Sequence, residues 1–184
     1  VMINGSVGSI EVNGEEVGVS AGGWGGALRV RKQFANLFES SQFDSDDRNT
    51  LITSDRPIDI SDISNPDQGY IIQKYSNARS DGGFGIDQTF VDTDFPLFRL
   101  ADVYLMYAEA HLRGGGGSMD TALSLINELR TRAHNPNLLS ASDLTLDFIL
   151  DERARELHWE SHRRQDLIRF GKFTGGNYNW AWKG

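Results

Sequence analysis

The chain has 184 residues, long enough for one domain, or for one domain plus an irregular lobe. Such a chain buries roughly 70% of its unfolded surface, so it needs no covalent staple, and without cysteine it has neither disulfides, thiolate metal sites nor a cysteine nucleophile. Its net charge of -8 disfavours nucleic acid and anionic lipid as partners but is compatible with neutral ligands such as sugars.

Residues 1–95 read as irregular, consistent with 20 glycines against 4 prolines in the whole chain. Ile10-Glu11-Val12 and Val17-Gly18-Val19 flank Asn13-Gly14, a pair suited to a type I′ turn. A β-hairpin is expected there, with Ile10 facing Val17 and Val12 facing Glu15. The stretch 22–26, GGWGG, reads as flexible backbone around Trp24. A helix is predicted over 27–39, because Val30, Phe34, Leu37 and Phe38 share one helical face. An acidic loop follows, with Asp44, Asp46 and Asp47. A strand is predicted over 70–75, then a glycine-rich loop carrying Asp81 and Phe84.

Pro96 marks a change of character. Residues 97–113 are strong helix formers with two apolar stripes. One is Leu100, Val103, Tyr104, Tyr107, Ala108 and His111. The other is Ala101, Leu105, Ala108 and Leu112. A helix apolar on two sides is expected between neighbours. The glycines at 114–117 stop it and read as a flexible connector. Ser118 or Asp120 caps a second helix over 119–133. A third is predicted over 145–161 and a short fourth over 164–172. Asp151 and Arg155 form a favourable i,i+4 pair on the third. Paired helices of this kind suggest a tetratricopeptide-like repeat. The expected fold class is therefore mainly α, with helix pairs and an irregular lobe containing a β-hairpin. The expected organisation is a lobe over 1–95, facing the ligand, and a helical region over 96–184 within one domain.

Few residue patterns point to catalysis. His158 and His162 lie at i,i+4, but the order H-W-E-S-H is not the H-E-x-x-H of zinc enzymes and a third ligand is lacking. The loop from Asp44 lacks the glycine and glutamate that an EF-hand needs. Glu152, Glu156 and Glu160 recur at four-residue spacing. The arginines around them would lower their pKa values, the wrong direction for a general acid, so they read as structural ion pairs. The glycine runs lack the Lys-Ser/Thr of a phosphate loop. No metal, no cofactor and no catalytic residue is expected. An aromatic ring in a polar loop can stack on the C–H face of a sugar while polar side chains bind its hydroxyls. Trp24 and Phe84 are the candidate stacking residues, with Phe90 a third, and Arg29 and Asp81 the candidate polar contacts.

Three ordered blocks carry a family resemblance. They are FPLFRLADVYLMYAEAHLR, then TALSLINELRTRA, then LTLDFILDERARELHWESHRRQDLIRFGKF. Together they resemble the C-terminal part of SusD/RagB-type proteins. Trp24-Gly25-Gly26, Asp47-Arg48, Gly69-Tyr70 and Lys74-Tyr75 also look family-like. The resemblance implies a non-enzymatic, lipid-anchored glycan-binding protein of the outer membrane and cell surface. Its implied partners are an oligosaccharide or polysaccharide and a SusC-like TonB-dependent transporter. It also implies that this chain is a central to C-terminal fragment, since the family's lipidated cysteine, first helix pairs and C-terminal tail are absent. The alternative is a helical-repeat protein-interaction scaffold without a sugar ligand. A glycoside hydrolase using Glu152 or Glu156 is a third, disfavoured reading.

Overall fold

The computed structural model describes residues 10–12, 15–17, 29–52, 56–65, 67–72, 74, 81, 83, 86 and 94–174. They belong to two compact units. One comprises residues 1–35 and 50–95, the other residues 36–49 and 96–184.

In the first unit, β1 (Ile10–Val12) pairs antiparallel with β2 (Glu15–Val17), with Ile10 opposite Val17 and Val12 opposite Glu15. A second ladder joins β3 (Leu51–Ile52) to β4 (Ile71–Ile72). The expectation of a lobe containing one β-hairpin is corrected by this arrangement. The β structure among the described residues is two separate ladders of two or three residues per strand, too small to form a sheet layer. The strand predicted over 70–75 is confined, among its described residues, to Ile71–Ile72, and its partner around Leu51 is remote in sequence.

The helix predicted over 27–39 is shorter. α1 covers Lys32–Ala35 and passes into a 3-10 turn at Asn36–Phe38. The Val30 N–H explains the late start, because it donates to the Tyr70 carbonyl at 2.9 Å. The expected apolar face survives in part, with Phe34 and Phe38 both buried.

The second unit is built on α2 (Leu100–Leu112), α3 (Met119–Arg132), α4 (Leu146–Leu157) and α5 (Arg163–Arg169). α2 packs on α3 and α4, and α4 on α5. Leu105 and Ala108 of α2, Ala122 and Ile126 of α3, and Ile149 of α4 are fully buried in one core. The two alanines let the helix backbones approach closely. Ser118 caps α3 by accepting the Thr121 N–H, and Thr145 caps α4 by accepting that of Phe148.

The glycine linker is not the flexible connector its composition suggests. Gly114 N–H donates to His111 O, Gly115 N–H to Ala110 O, and Ser118 N–H to the Tyr107 hydroxyl. α4 ends at Leu157, short of the predicted 161, because His158 leaves the helix and Trp159 and Ser161 adopt positive φ of 64° and 65°. None of the described helices is long and apolar enough to cross a membrane.

Candidate functional site

The charged block at the end of α4 folds into buried ion pairs. Glu152 is 0% exposed and accepts from Arg48 Nη1 and Arg155 Nε, both at 2.8 Å. Arg155 therefore turns to Glu152, at i,i+3, and not to Asp151 as expected. Glu156 accepts from Arg132 at 2.7 Å, Arg99 at 2.7 Å and Arg48 at 3.2 Å. Glu160 lies beyond the helix end, where it accepts two hydrogen bonds from Arg99, at 2.6 and 2.8 Å. Arg48 also grips Asp46 at 2.6 Å, and Asp46 accepts from Asn135 at 2.8 Å. A second network joins Asp166 to Arg153 and Arg169, and Arg169 to Glu109.

The electrostatics follow from these contacts. Burial pushes the Glu156 carboxyl up, but the hydrogen bond from Arg132 and the charges of Arg48 and Arg132 outweigh it and hold it down to about 2. Burial is likewise outweighed at Glu152, where Arg155 and Arg48 keep the carboxyl below its ordinary range. A general acid needs the opposite shift and a route to substrate. These carboxylates are buried and saturated with guanidinium donors, so the arrangement supports interlocking and not proton transfer.

The histidine pair does not assemble either. His158 Nδ1 lies 2.8 Å from the Arg155 carbonyl, whereas His162 stands at the N-terminus of α5, across the break that ends α4. Spacing of four residues brings two imidazoles together only on a continuous helix. Among the described residues no group of three His, Asp or Glu is placed to hold a metal ion. Of the acidic loop, Asp46 is buried in the arginine network, Asp47 pairs with His134 at 2.6 Å, and Asp44 is exposed.

Of the candidate ligand contacts, Trp24, Phe84 and Phe90 lie outside the described residues. Arg29 donates to the carbonyls of Ile63, Asn65 and Gln68, at 2.9, 2.7 and 3.2 Å. Its guanidinium thereby braces the loop over 60–68. Gln68 holds the same loop by accepting the Ser61 and Asp62 N–H groups. Gly69, at φ 79°, sits where a Cβ would come within 2.7 Å of Ile60. Asp81 is exposed and accepts the Gly83 N–H at 3.0 Å. The residues that sequence reasoning missed are the guanidinium partners Arg48, Arg99 and Arg132. Their sequence distance from α4 hid them. All three nevertheless fall in the family-like stretches, Arg99 and Arg132 in the first two blocks and Arg48 in the Asp47-Arg48 pair.

A shallow, open groove on α3 is lined by Ser124, Asn127, Glu128, Thr131 and Arg132. Asn127 is already bonded to both backbone groups of Leu139, and Arg132 to Glu156. Two of the five lining side chains are thus committed to the fold.

Comparison with known proteins gives one consistent result. Over 129 residues the chain is 46% identical to the starch-binding protein SusD of Bacteroides thetaiotaomicron, a match covering 70% of this chain and 22% of that protein. A SusD-like protein of Formosa agariphila is 44% identical over 80 residues, or 41% of this chain and 15% of the relative. A solved SusD superfamily protein from Bacteroides vulgatus superposes with a TM-score of 0.54 at 28% identity, covering 78% of this chain and 29% of the other. A second from the same organism gives 0.51 at 26%, covering 77% and 33%. The chain thus spans about a fifth of the length of its starch-binding relative. The SusD family pattern matches residues 17–184, nearly the whole chain, so the chain belongs to the SusD family.

Proposed function

We propose that this protein is a non-catalytic, cell-surface glycan-binding subunit. It takes an oligosaccharide or polysaccharide at the outer membrane and works with a SusC-like TonB-dependent transporter. The observation that carries the reading is membership of the SusD family, with 46% identity to a protein described as starch-binding. The chemistry of the helical unit supports it. Glu152 and Glu156 of α4, and Glu160 just beyond it, are committed to internal arginines.

In this reading the 1–95 lobe meets the glycan. Trp24 and Phe84 stack on sugar rings, Asp81 binds hydroxyls, and Arg29 contributes by holding the 60–68 loop. Lipid anchoring at the cell surface belongs to the same proposal.

The test is calorimetric titration of the full-length protein with a panel of neutral polysaccharides that includes starch. Binding to at least one member is expected, together with loss of affinity in Trp24→Ala at unchanged melting temperature. Silence across the whole panel would overturn the reading in favour of a protein-interaction scaffold. Equal loss of stability and affinity in Trp24→Ala would make that residue core.

A further inference from the structure

On the outer face of α3, Glu128 and Arg132 stand at i,i+4, the spacing at which a carboxylate and a guanidinium usually close on each other. Here the pair is split. Arg132 Nη2 donates to both oxygens of Glu156 at 2.7 Å, which fixes the guanidinium while the side chain stays 51% exposed. Glu128 is exposed, and its contact from the Tyr104 hydroxyl is long, at 3.4 Å. Arg132 Nε and Nη1, the second Glu128 oxygen and the hydroxyls of Ser124 and Thr131 have no hydrogen-bond partner among the described residues. All of these side chains line the groove on α3, whose volume is about 640 Å³. Small-molecule sites span roughly 300–1,000 Å³.

The chemistry of this lining selects a ligand. A carboxylate accepts from an O–H, and a guanidinium donates to an oxygen lone pair. A pair of neighbouring sugar hydroxyls offers both. The hydroxyls of Ser124 and Thr131 can do either. The Thr131 methyl and the aliphatic stem of Arg132 supply apolar surface for the C–H face of a ring. An anionic ligand would meet Glu128, and a cationic one Arg132. An apolar helix would find no continuous apolar stripe, because the apolar residues of α3 at 122, 126 and 129 are buried on its other side. We propose that this groove is a second glycan subsite, which takes a short neutral oligosaccharide between Glu128 and the fixed Arg132, apart from the contacts assigned to the 1–95 lobe. The proposal rests on the glycan-binding reading and adds a place to it. An open groove covers one side of its ligand, so this subsite binds more weakly than an enclosed one.

The test is calorimetric titration of the full-length protein with short neutral oligosaccharides cut from starch and from the other polysaccharides of the panel. Wild type, Glu128→Gln and Trp24→Ala are compared. Wild type is expected to show a second, weaker binding event with at least one oligosaccharide. Glu128→Gln should weaken that event at least about tenfold, the loss of a hydrogen bond to a charged acceptor, and leave the stronger one unchanged. Trp24→Ala should do the reverse. Glu128→Gln keeps the shape of an exposed side chain, so its melting temperature should match wild type. A single event that is insensitive to Glu128→Gln would overturn the subsite and leave the glycan-binding reading standing. Equal weakening of both events by Glu128→Gln would overturn it too, since the groove would then not be a separate place. Silence with every oligosaccharide would overturn the subsite and the reading together.

Discussion

Glu152 sets the energetic character of the helical unit, because it is fully buried between Arg48 and Arg155 with Arg130 Nη1 3.9 Å away. Removing one partner of a buried ion pair leaves the others uncompensated, which costs about 3–5 kcal/mol. Glu152→Ala is therefore expected to lower unfolding stability by that amount in urea titrations. Loss below about 1 kcal/mol would show that water enters and screens the arginines. The same network makes stability depend on pH. Glu156 titrates near 4.5 when unfolded and is held down to about 2 when folded. A depressed carboxyl contributes its full stabilisation above the unfolded value and loses it as pH falls through the folded one. Stability should thus decline between about pH 4.5 and pH 2, by on the order of 3 kcal/mol from this group. Denaturation midpoints for wild type and Glu156→Gln measure it. The variant should be less stable at neutral pH and show a flatter acid limb. Parallel acid limbs would assign the pH dependence to other carboxylates.

At the scale of elements, the glycine linker between α2 and α3 makes a prediction that composition alone does not. Gly114 has φ 87° and open space where a Cβ would stand. Gly117 has φ 74°, and its Cβ would collide with the Tyr107 hydroxyl and lie 2.9 Å from ring carbon Cζ. Gly114→Ala should cost about 1–2 kcal/mol, the strain of left-handed backbone. Gly117→Ala should cost about 1–3 kcal/mol more, because it also displaces Tyr107 from the Ser118 N–H. Thermal melts of the two variants compare them directly, and equal losses would mean that Tyr107 moves aside freely. The four helices of the second unit were legible because their signals are local: apolar spacing, Ser118 as a candidate cap, and glycine as a stop. Their exact ends were not, since α2 begins only after Arg99 turns to Glu156 and Glu160 with extended backbone (φ -146°). α4 likewise ends at Leu157, and the turn that follows carries Glu160 to Arg99. Both ends are set by a partner remote in sequence.

For the molecule as a whole, the family and the structural purpose of the charged block were legible, but not the reach of that block. The segment over 36–49 has little regular structure of its own. It reads from sequence as a helix end and a solvated acidic loop, yet it belongs to the helical unit. Its order is supplied by distant groups. Asp47 N–H donates to Ala133 O, Arg155 Nη1 donates to Leu37 O, and the Arg155 guanidinium lies 4.5 Å from the centroid of the Phe43 ring. No periodicity within 36–49 encodes those contacts. Arg48 is their common anchor, since it joins Asp46 of the segment to Glu152 and Glu156 of α4. Arg48→Ala is accordingly expected to release the segment before it unfolds the helices. Hydrogen exchange should show amides 43–49 exchanging at least about tenfold faster. The middle of α3, whose Ile126 is fully buried away from that anchor in the apolar core, should keep most of its protection. Acceleration of equal size in both regions would mean that segment and helices form a single cooperative unit. Unchanged exchange at 43–49 would mean that Phe43 and the Asp47 backbone bond hold the segment without the ion pairs.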